Sequence, residues 1–179
     1  MPVSGQPTEL LEQFAHGDLD AFETLFRQFQ GEVYRWVVRI VRDSGVAEDL
    51  TIETFWRIHR AHARFDSKRS FGAWARRIAT NVALDHLKSK RPEAALLEDV
   101  PGPTSPDAAI RRDIRERVAG AFCQLPAKLR VAATLALVEE QPYKEIADAL
   151  GISVGAVKLR VFRALRLLRK KLKQQGIEP

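Results

Sequence analysis

The sequence has little cysteine, no long apolar run and no recognisable leader, and each shortage argues against a class of protein. Its single cysteine, Cys123, excludes an intramolecular disulfide and favours a reducing compartment. The longest apolar stretches are far shorter than a membrane span, and no apolar segment follows a basic one near the beginning of the chain. These features predict a cytoplasmic protein without membrane insertion.

Residues arranged for catalysis or metal binding are also missing from the sequence. Of the four histidines, His59 and His62 lie close enough to share a helical neighbourhood, but no third ligand follows at a metal-binding spacing. The sequence has no phosphate-binding glycine loop, and no Ser/His/Asp set can be assembled from it. We therefore predict that the protein is not an enzyme and that it has no metal site, no catalytic residues and no cofactor.

Helical periodicity runs through the chain, whereas alternating strand patterns with hairpin signals are absent. In residues 18–42, for example, apolar side chains recur at steps of three and four residues. Ser70 is expected to cap the helix that begins after it. The sequence therefore predicts an all-α protein. The predicted helices cover residues 8–16, 18–42, 46–62, 71–90, 108–123, 127–139, 143–150 and 154–173.

A segment of different composition divides these helices into two sets. Residues 92–106 contain four prolines, one glycine and no basic residue, which is typical of a linker. We predict a flexible, acidic, proline-rich linker at 92–107 between two small helical domains, at 8–91 and 108–174. The charge follows this division, because residues 108–179 carry 15 basic and 7 acidic residues. A basic surface of this kind attracts polyanions such as nucleic acids.

The second domain shows the spacing of a helix-turn-helix between Pro142 and Leu165. Gly151 stands where the chain leaves the first helix, a position that suits a left-handed backbone. Ile152 would fill the turn, and Ser153 can cap the second helix. Three apolar residues form the inner face of the first helix: Ile146, Ala147 and Leu150. The pattern predicts a helix-turn-helix domain.

The second helix of this motif has one apolar side and one basic side. Residues 154–173 carry eight basic residues and no acidic residue, which suits contact with DNA phosphates from within a major groove. A solvated basic helix is the alternative, but it does not account for the turn pattern. Base contacts are expected from the N-terminal half of the helix. The candidates for these contacts are Lys158, Arg160, Phe162 and Arg163.

A second basic segment lies in the first domain, where residues 60–91 hold nine basic and two acidic residues. Phe65, Phe71 and Trp74 are interleaved with these cations, and this combination suits single-stranded or opening DNA. Asn81 adds a donor and an acceptor able to read a base edge. Alternatively, Phe71 and Trp74 belong to the hydrophobic core, because apolar residues accompany them along the helix.

Several motifs resemble those of the extracytoplasmic-function group of sigma factors, the smallest members of the sigma-70 family. In the first domain they are Ala-Glu-Asp-Leu-Thr-Ile-Glu-Thr-Phe-Trp-Arg at 47–57, and Arg-Phe-Asp followed by Ser-Phe-Gly-Ala-Trp-Ala-Arg-Arg-Ile-Ala-Thr-Asn-Val-Ala-Leu-Asp-His-Leu within 64–87. In the second they are Leu-Pro at 125–126, Tyr-Lys-Glu-Ile-Ala at 143–147 and Gly-Ile-Ser-Val-Gly-Ala-Val-Lys-Leu-Arg at 151–160. The resemblance covers both domains.

This resemblance implies a protein that binds core RNA polymerase and directs promoter-specific DNA binding, promoter melting and transcription initiation. It implies that the first domain binds polymerase and opens the minus-ten element, while the helix-turn-helix reads the duplex minus-thirty-five element. An anti-sigma factor is a further implied partner, and the linker would run toward the RNA exit path. The matching positions are Asp49, Glu53, Thr54 and Arg57 for polymerase, and Phe65, Ser70, Phe71, Trp74, Arg77 and Asn81 for minus-ten DNA.

Two positions and one turn depart from the pattern of that group, the turn being Leu-Val-Glu-Glu-Gln-Pro at 137–142 in place of the usual aromatic-and-glycine turn. Ile52 replaces a usual glutamine in the polymerase-docking helix, and Leu159 replaces a usual small polar residue in the recognition helix, where it is expected to shift sequence preference. The remaining alternative is a stand-alone helix-turn-helix transcriptional regulator. Such a regulator would explain the second domain equally well, but it would not explain the basic and aromatic segment at 64–91.

Overall fold

The computed structural model describes residues 8–89 and 106–177, with side chains from residue 109 onward in the second range. The described helices lie in two stretches of the chain, which we call the first unit (residues 8–89) and the second unit (residues 106–177). All regular structure in the described residues is helical, which confirms the predicted all-α class. Residues 90–105 contain most of the predicted linker and lie outside the described residues. None of the described helices is long and apolar enough to cross a membrane.

The first unit is built from helices whose positions match the prediction to within two residues. Side-chain caps fix where two of these helices begin. The Asp18 carboxylate accepts a hydrogen bond from the Ala21 N–H at 2.7 Å. The Ser70 hydroxyl accepts one from the Ala73 N–H at 3.3 Å, which confirms the predicted Ser70 cap. A short 3-10 turn separates the last two helices. The helices are α1 (Thr8–Ala15), α2 (Leu19–Val41), α3 (Ser44–Arg60) and α4 (Phe71–Ser89), with the turn at His62–Arg64.

The predicted start of α3, at residue 46, is wrong by two residues, because a cap at Asp43 begins the helix earlier. The Asp43 carboxylate accepts from the Val46 N–H at 2.9 Å, so Ser44 is already helical. Immediately before it, α2 ends where Arg42 adopts a left-handed backbone with φ of 60°. The Arg42 N–H still donates to the Val38 carbonyl at 2.9 Å. One residue thus separates the end of one helix from the cap of the next.

Long apolar side chains from α2 and α3 form the core of the first unit. Leu25 and Val37 on α2 and Ile58 on α3 are completely buried. An aromatic cluster adds to this core, since the rings of Phe14 and Phe71 meet edge to face at 5.4 Å. Such burial stabilises each large side chain by about 1.5 to 3 kcal/mol relative to exposure.

The second unit packs its last and longest helix against the helices that precede it. Its helices are α5 (Pro106–Cys123), α6 (Ala127–Ala133), α7 (Tyr143–Leu150) and α8 (Val154–Gln174). The buried apolar cluster consists of Ala121, Leu125, Ala133, Ala164 and Leu168, with Phe122, Leu129, Leu167 and Leu172 packed at its edge. Polar contacts tie the same elements together, because Lys171 on α8 donates to the Gln124 amide oxygen at 2.7 Å.

The turn between α7 and α8 has the geometry that the sequence predicts. Gly151 adopts φ of +64°, a left-handed backbone that glycine tolerates without a Cβ penalty. The Ile152 N–H then reaches back to the Ala147 carbonyl at 3.0 Å, which closes the end of α7. The Ser153 hydroxyl accepts from the Ala156 N–H at 3.2 Å and caps α8. The predicted helix-turn-helix is therefore confirmed in its turn and its cap.

The helix predicted over residues 127–139 does not continue as one α-helix. It ends at Ala133, and residues 134–138 form a π-helical turn in which the Glu139 N–H donates to the Thr134 carbonyl at 3.0 Å. The wider ring of a π turn accommodates one extra residue per turn. The chain then reverses at Glu140, which has φ of 49°. A left-handed non-glycine residue thus supplies the turn before α7.

Candidate functional site

The buried and the exposed residues of α8 lie on opposite sides of the helix, as the repeat of 3.6 residues per turn places them. One side is buried and consists of Val157, Val161, Ala164 and Leu168. The opposite side follows Gly155, Leu159, Phe162 and Arg166, of which Leu159 and Phe162 are 47% and 62% exposed. We call the outward side from Lys158 to Arg166 the recognition face. It therefore has an apolar centre rather than a purely basic one.

Cations border this apolar centre on both sides. Lys158 and Arg163 are exposed, whereas Arg160 is half-buried near the packed side of the helix. The helix carries eight basic residues and no acidic residue between positions 154 and 173. Phosphates on either side of a groove would meet these cations while the centre faces the bases. Of the predicted base-reading residues, Lys158, Phe162 and Arg163 lie on the recognition face, and Arg160 lies at its edge.

A second line of side chains runs along one side of α4. Ser70, Trp74, Arg77 and Asn81 follow one another at steps of four, three and four residues, so they share one side of the helix. Arg77 and Asn81 are exposed and Trp74 is half-buried. We call this set the α4 line. Together it offers a ring, a cation and an amide, and Ser70 also caps the helix.

The structure places the other two predicted minus-ten aromatics in the core. Phe65 and Phe71 are both buried, with 6% and 1% of their surfaces exposed. Their rings lie 5.7 Å apart in an edge-to-face arrangement, and the Trp74 ring lies 4.9 Å from Phe65. These two phenylalanines are therefore core residues that pack against the Trp74 ring of the α4 line. Of the three aromatic residues, only Trp74 is partly exposed.

A third exposed surface lies on α3 and combines apolar and charged side chains. Ile52 and Trp56 are 68% and 58% exposed, and they lie one turn apart beside Asp49 and Glu53. Arg57 completes the surface, which we call the α3 face. Large apolar groups at this exposure on an otherwise polar helix are typical of a protein-binding surface.

Arg57 is held in place by two carboxylates. Its Nε donates to Glu53 at 2.7 Å, and its Nη1 donates to Asp85 on α4 at 3.2 Å. The hydrogen bond to Glu53 raises the pKa of Arg57, and partial burial opposes that effect. Thr54, in contrast, is completely buried, and its hydroxyl donates to the Leu50 carbonyl at 2.6 Å. Its side chain therefore belongs to the core of the unit rather than to the α3 face.

The α4 helix is anchored to α2 by a buried polar contact. The indole N–H of Trp36 donates to the Thr80 hydroxyl at 2.9 Å, and that hydroxyl donates to the Arg76 carbonyl at 2.7 Å. The Arg76 guanidinium lies over the Trp36 ring, 5.6 Å from its centroid. Because Thr80 and Trp36 are both buried, this contact fixes the rotation of α4 and hence the direction of the α4 line.

The histidines do not form a metal site with the residues that the structure describes. The rings of His59 and His62 lie 6.3 Å apart and pack among aromatic side chains. Across residues 8–89 and 106–177, no three His, Cys, Asp or Glu residues are arranged to hold a metal ion.

Comparison with known proteins assigns both helical domains to one protein family. The chain matches the sigma-70 region 2 model over residues 25–93 and the sigma-70 region 4 model over residues 115–168. It is 32% identical to the RNA polymerase sigma-H factor of Pseudomonas aeruginosa, over 96% of this chain and 96% of that protein. It is 33% identical to the ECF RNA polymerase sigma factor SigE of Mycolicibacterium smegmatis, over 98% of this chain and 72% of that protein. The chain belongs to the extracytoplasmic-function group of the sigma-70 family.

A solved structure with the same fold is that of the protein CnrH in complex with the cytosolic domain of CnrY. It matches this sigma factor with a TM-score of 0.59 and 25% identity, over 93% of this chain and 97% of that chain. The resemblance that the sequence motifs indicated is thereby confirmed. As a sigma factor, the protein binds core RNA polymerase and directs promoter-specific transcription initiation.

The three surfaces fall within the two matched regions of the sigma factor. The region 2 match contains the α3 face and the α4 line, and the region 4 match contains α7 and the whole recognition face. Sequence reasoning missed Trp56 as a site residue, and it noted Leu159 only as a departure that shifts sequence preference, not as a candidate base contact. A signal for both was available, because each is a large apolar residue at a position where the helical repeat predicts solvent.

Proposed function

We propose that the three surfaces divide promoter recognition among them. The recognition face reads the duplex minus-thirty-five element, the α4 line holds the opened minus-ten strand, and the α3 face binds core polymerase. The observation that carries this proposal is the exposed, acid-free side of α8 after a confirmed helix-turn-helix turn. The first domain would span 8–91 and the second 108–174, joined by a linker at 92–107.

For the duplex element, the first half of α8 is the part that enters the major groove. In helix-turn-helix proteins the N-terminal residues of the second helix reach the base edges, while cations further along contact the phosphates. Lys158 and Arg163 are exposed at the groove-facing end, and Phe162 projects between them. Arg160 lies at the edge of the face and suits a phosphate contact.

For the opened element, the α4 line supplies both stacking and hydrogen bonding. A base that leaves the duplex loses a few kcal/mol of stacking and pairing, and a flat ring with an amide can replace part of this. Trp74 offers the ring, Asn81 the amide and Arg77 the phosphate contact. Phe65 and Phe71 act from the core, where they hold the Trp74 ring in position.

For polymerase binding, the α3 face presents an apolar centre with a charged border. Ile52 and Trp56 would be buried by the partner, and Asp49, Glu53 and Arg57 would contribute polar contacts around them. Interfaces are often dominated by a buried tryptophan surrounded by polar residues. Ile52, which replaces a usual glutamine, enlarges this apolar centre.

An anti-sigma factor is proposed as a further partner, because the sigma factor RpoE of Bartonella quintana, a solved structure with this fold, is in complex with the anti-sigma factor NepR. We also place the protein in the cytoplasm, where it would act without catalysing a reaction. Its role is to position polymerase and DNA rather than to transform a substrate.

Transcription with purified core RNA polymerase from the same organism tests these assignments. Run-off transcripts from genomic templates should begin downstream of a shared pair of short motifs. Asn81→Ala should reduce promoter opening, measured by permanganate reactivity of thymines, while core binding is retained. Trp56→Ala should reduce core binding, and Arg163→Ala should weaken closed-complex formation.

The opposite pattern would overturn the proposal. An Asn81→Ala variant that opens promoters at the normal rate would remove the α4 line from the mechanism. Absence of initiation, together with tight and salt-sensitive duplex binding by the protein alone, would instead support a stand-alone regulator. Lys88→Ala, on the same helix but beyond the α4 line, is the matched control for Arg77→Ala, because each variant removes one positive charge from α4.

A further inference from the structure

The apolar centre of the recognition face lies where a DNA-reading helix usually carries polar residues. Leu159 lies in the N-terminal half of α8 and is 47% exposed, and Phe162 follows it on the same side and is 62% exposed. Val154, at the beginning of the helix, is 38% exposed as well. Three large apolar side chains thus project from the part of the helix that enters the groove, while the positive charges border them.

A major groove offers few partners for such side chains. Its floor presents hydrogen-bond donors and acceptors on every base pair, and its one apolar feature is the C5 methyl group of thymine. Phenylalanine and other apolar groups contact that methyl in known complexes. Leu159 and Phe162 have no hydrogen-bonding group with which to read any other base.

The spacing of the two side chains fits neighbouring base pairs. Three residues of α-helix rise about 4.5 Å along the axis, because the rise is about 1.5 Å per residue. Successive base pairs lie about 3.4 Å apart along the duplex. Gly155 precedes them on the same side and has no side chain that would hold the helix away from the groove floor.

We propose that Leu159 and Phe162 read thymine methyl groups in the minus-thirty-five element, and so determine part of promoter specificity. The inference rests on the proposed reading of that element by α8. It assigns the polar border, Lys158 and Arg163, to phosphates and guanine edges. The element would therefore contain at least two A·T pairs, placed at adjacent or next-adjacent positions, whose thymines face the helix.

Replacement of thymidine by deoxyuridine tests this proposal, because it removes the methyl group and leaves every hydrogen-bonding group in place. The holoenzyme, formed with core polymerase, first selects its minus-thirty-five sequence from a randomised duplex library. The selected duplex is then synthesised with deoxyuridine at each thymine in turn. We expect affinity to fall about fourfold for each methyl group lost from a contact.

Variants of the helix show whether Leu159 and Phe162 are responsible. Leu159→Ala and Phe162→Ala should bind the thymine duplex more weakly, and each should lose the preference for thymine over uracil at one position. Arg163→Ala is the matched control, since it should weaken binding to both duplexes equally and leave the preference unchanged. All three residues are exposed, so thermal unfolding should confirm that the variants fold normally.

The outcomes separate this inference from the function on which it rests. If the holoenzyme selects a common sequence but binds thymine and uracil duplexes equally, the methyl contacts are refuted and the reading of the element by α8 stands. The inference is equally refuted if Leu159→Ala and Phe162→Ala both keep the wild-type preference. If no common sequence is selected and Arg163→Ala has no effect, the proposed reading itself is wrong.

Discussion

The hydroxyl of Thr80 joins two helices of the first unit, and its removal should have a measurable cost. It accepts from the Trp36 indole at 2.9 Å and donates to the Arg76 carbonyl at 2.7 Å, and both Thr80 and Trp36 are buried. Thr80→Val keeps the shape of the side chain and removes both bonds. The indole N–H is then left buried without a partner, which costs about 1 to 3 kcal/mol.

Urea unfolding followed by tryptophan fluorescence measures this cost in the first unit alone. All three tryptophans of the chain, Trp36, Trp56 and Trp74, lie in that unit. With a urea dependence of about 1 to 2 kcal/mol per M for a small domain, a cost of about 1 to 3 kcal/mol should lower the midpoint by about 0.5 to 3 M. Thr80→Ser, which keeps the hydroxyl, should lower the urea midpoint by less than Thr80→Val does.

A double-mutant cycle with Trp36→Phe gives the decisive comparison. In the Trp36→Phe background no indole N–H remains to be left without a partner, so Thr80→Val should cost less than about 1 kcal/mol there. Equal costs in the two backgrounds would refute the reasoning. Thr80→Val should also reduce the rate of promoter opening while it changes the affinity for core polymerase less. The bond between Trp36 and Thr80 sets the direction of the α4 line and not that of the α3 face.

Two further predictions concern Arg57 and Gly151. Arg57→Ala should lower the stability of the first unit by less than about 1 kcal/mol, because its partners are well exposed, yet it should weaken core binding. Because the pKa of Arg57 is raised, its ion pairs stabilise the folded state at every pH below the ordinary pKa of arginine, and this stabilisation is lost only above it. The difference in unfolding free energy between the wild type and Arg57→Ala should therefore be the same in urea unfolding at about pH 6 and at about pH 9. Gly151→Ala should destabilise the second unit by about 1 to 2 kcal/mol in thermal unfolding, because φ is +64° there. Gly155→Ala, inside α8 without such strain, should leave stability unchanged or raise it, and a loss as large as that of Gly151→Ala would contradict the argument.

Local sequence signals were sufficient to locate the helices. The predicted and observed ranges of α7 are identical, and α8 differs by one residue at its end. These helices begin and end at residues whose side chains or backbone act locally, such as Ser153 and Gly151. The π turn at 134–138 was missed because its hydrogen-bond pattern differs from an α-helix by one residue, a difference that apolar periodicity does not record.

Assignments that depend on which side of a helix faces the core were less secure. Thr54 and Phe71 occupy positions within motifs that resemble sigma factors, yet both are buried. Helical periodicity places Thr54 on the same side as Phe55 and Ile58, and that signal favoured the core over the α3 face. For Phe71 and Trp74 the sequence left both interpretations open, and packing divided them, with one ring inside and the other half-exposed.

The sequence by itself determined the helical class, the turn of the helix-turn-helix, the basic side of α8 and the family. These properties depend on residues close together in the chain, through capping, helical periodicity and charge. Only the tertiary structure decided that Trp36 donates to Thr80, 44 residues away, and that Arg57 on α3 reaches Asp85 on α4. It also decided which side chains remain exposed for DNA and polymerase, because exposure depends on how distant helices pack and not on the residue alone.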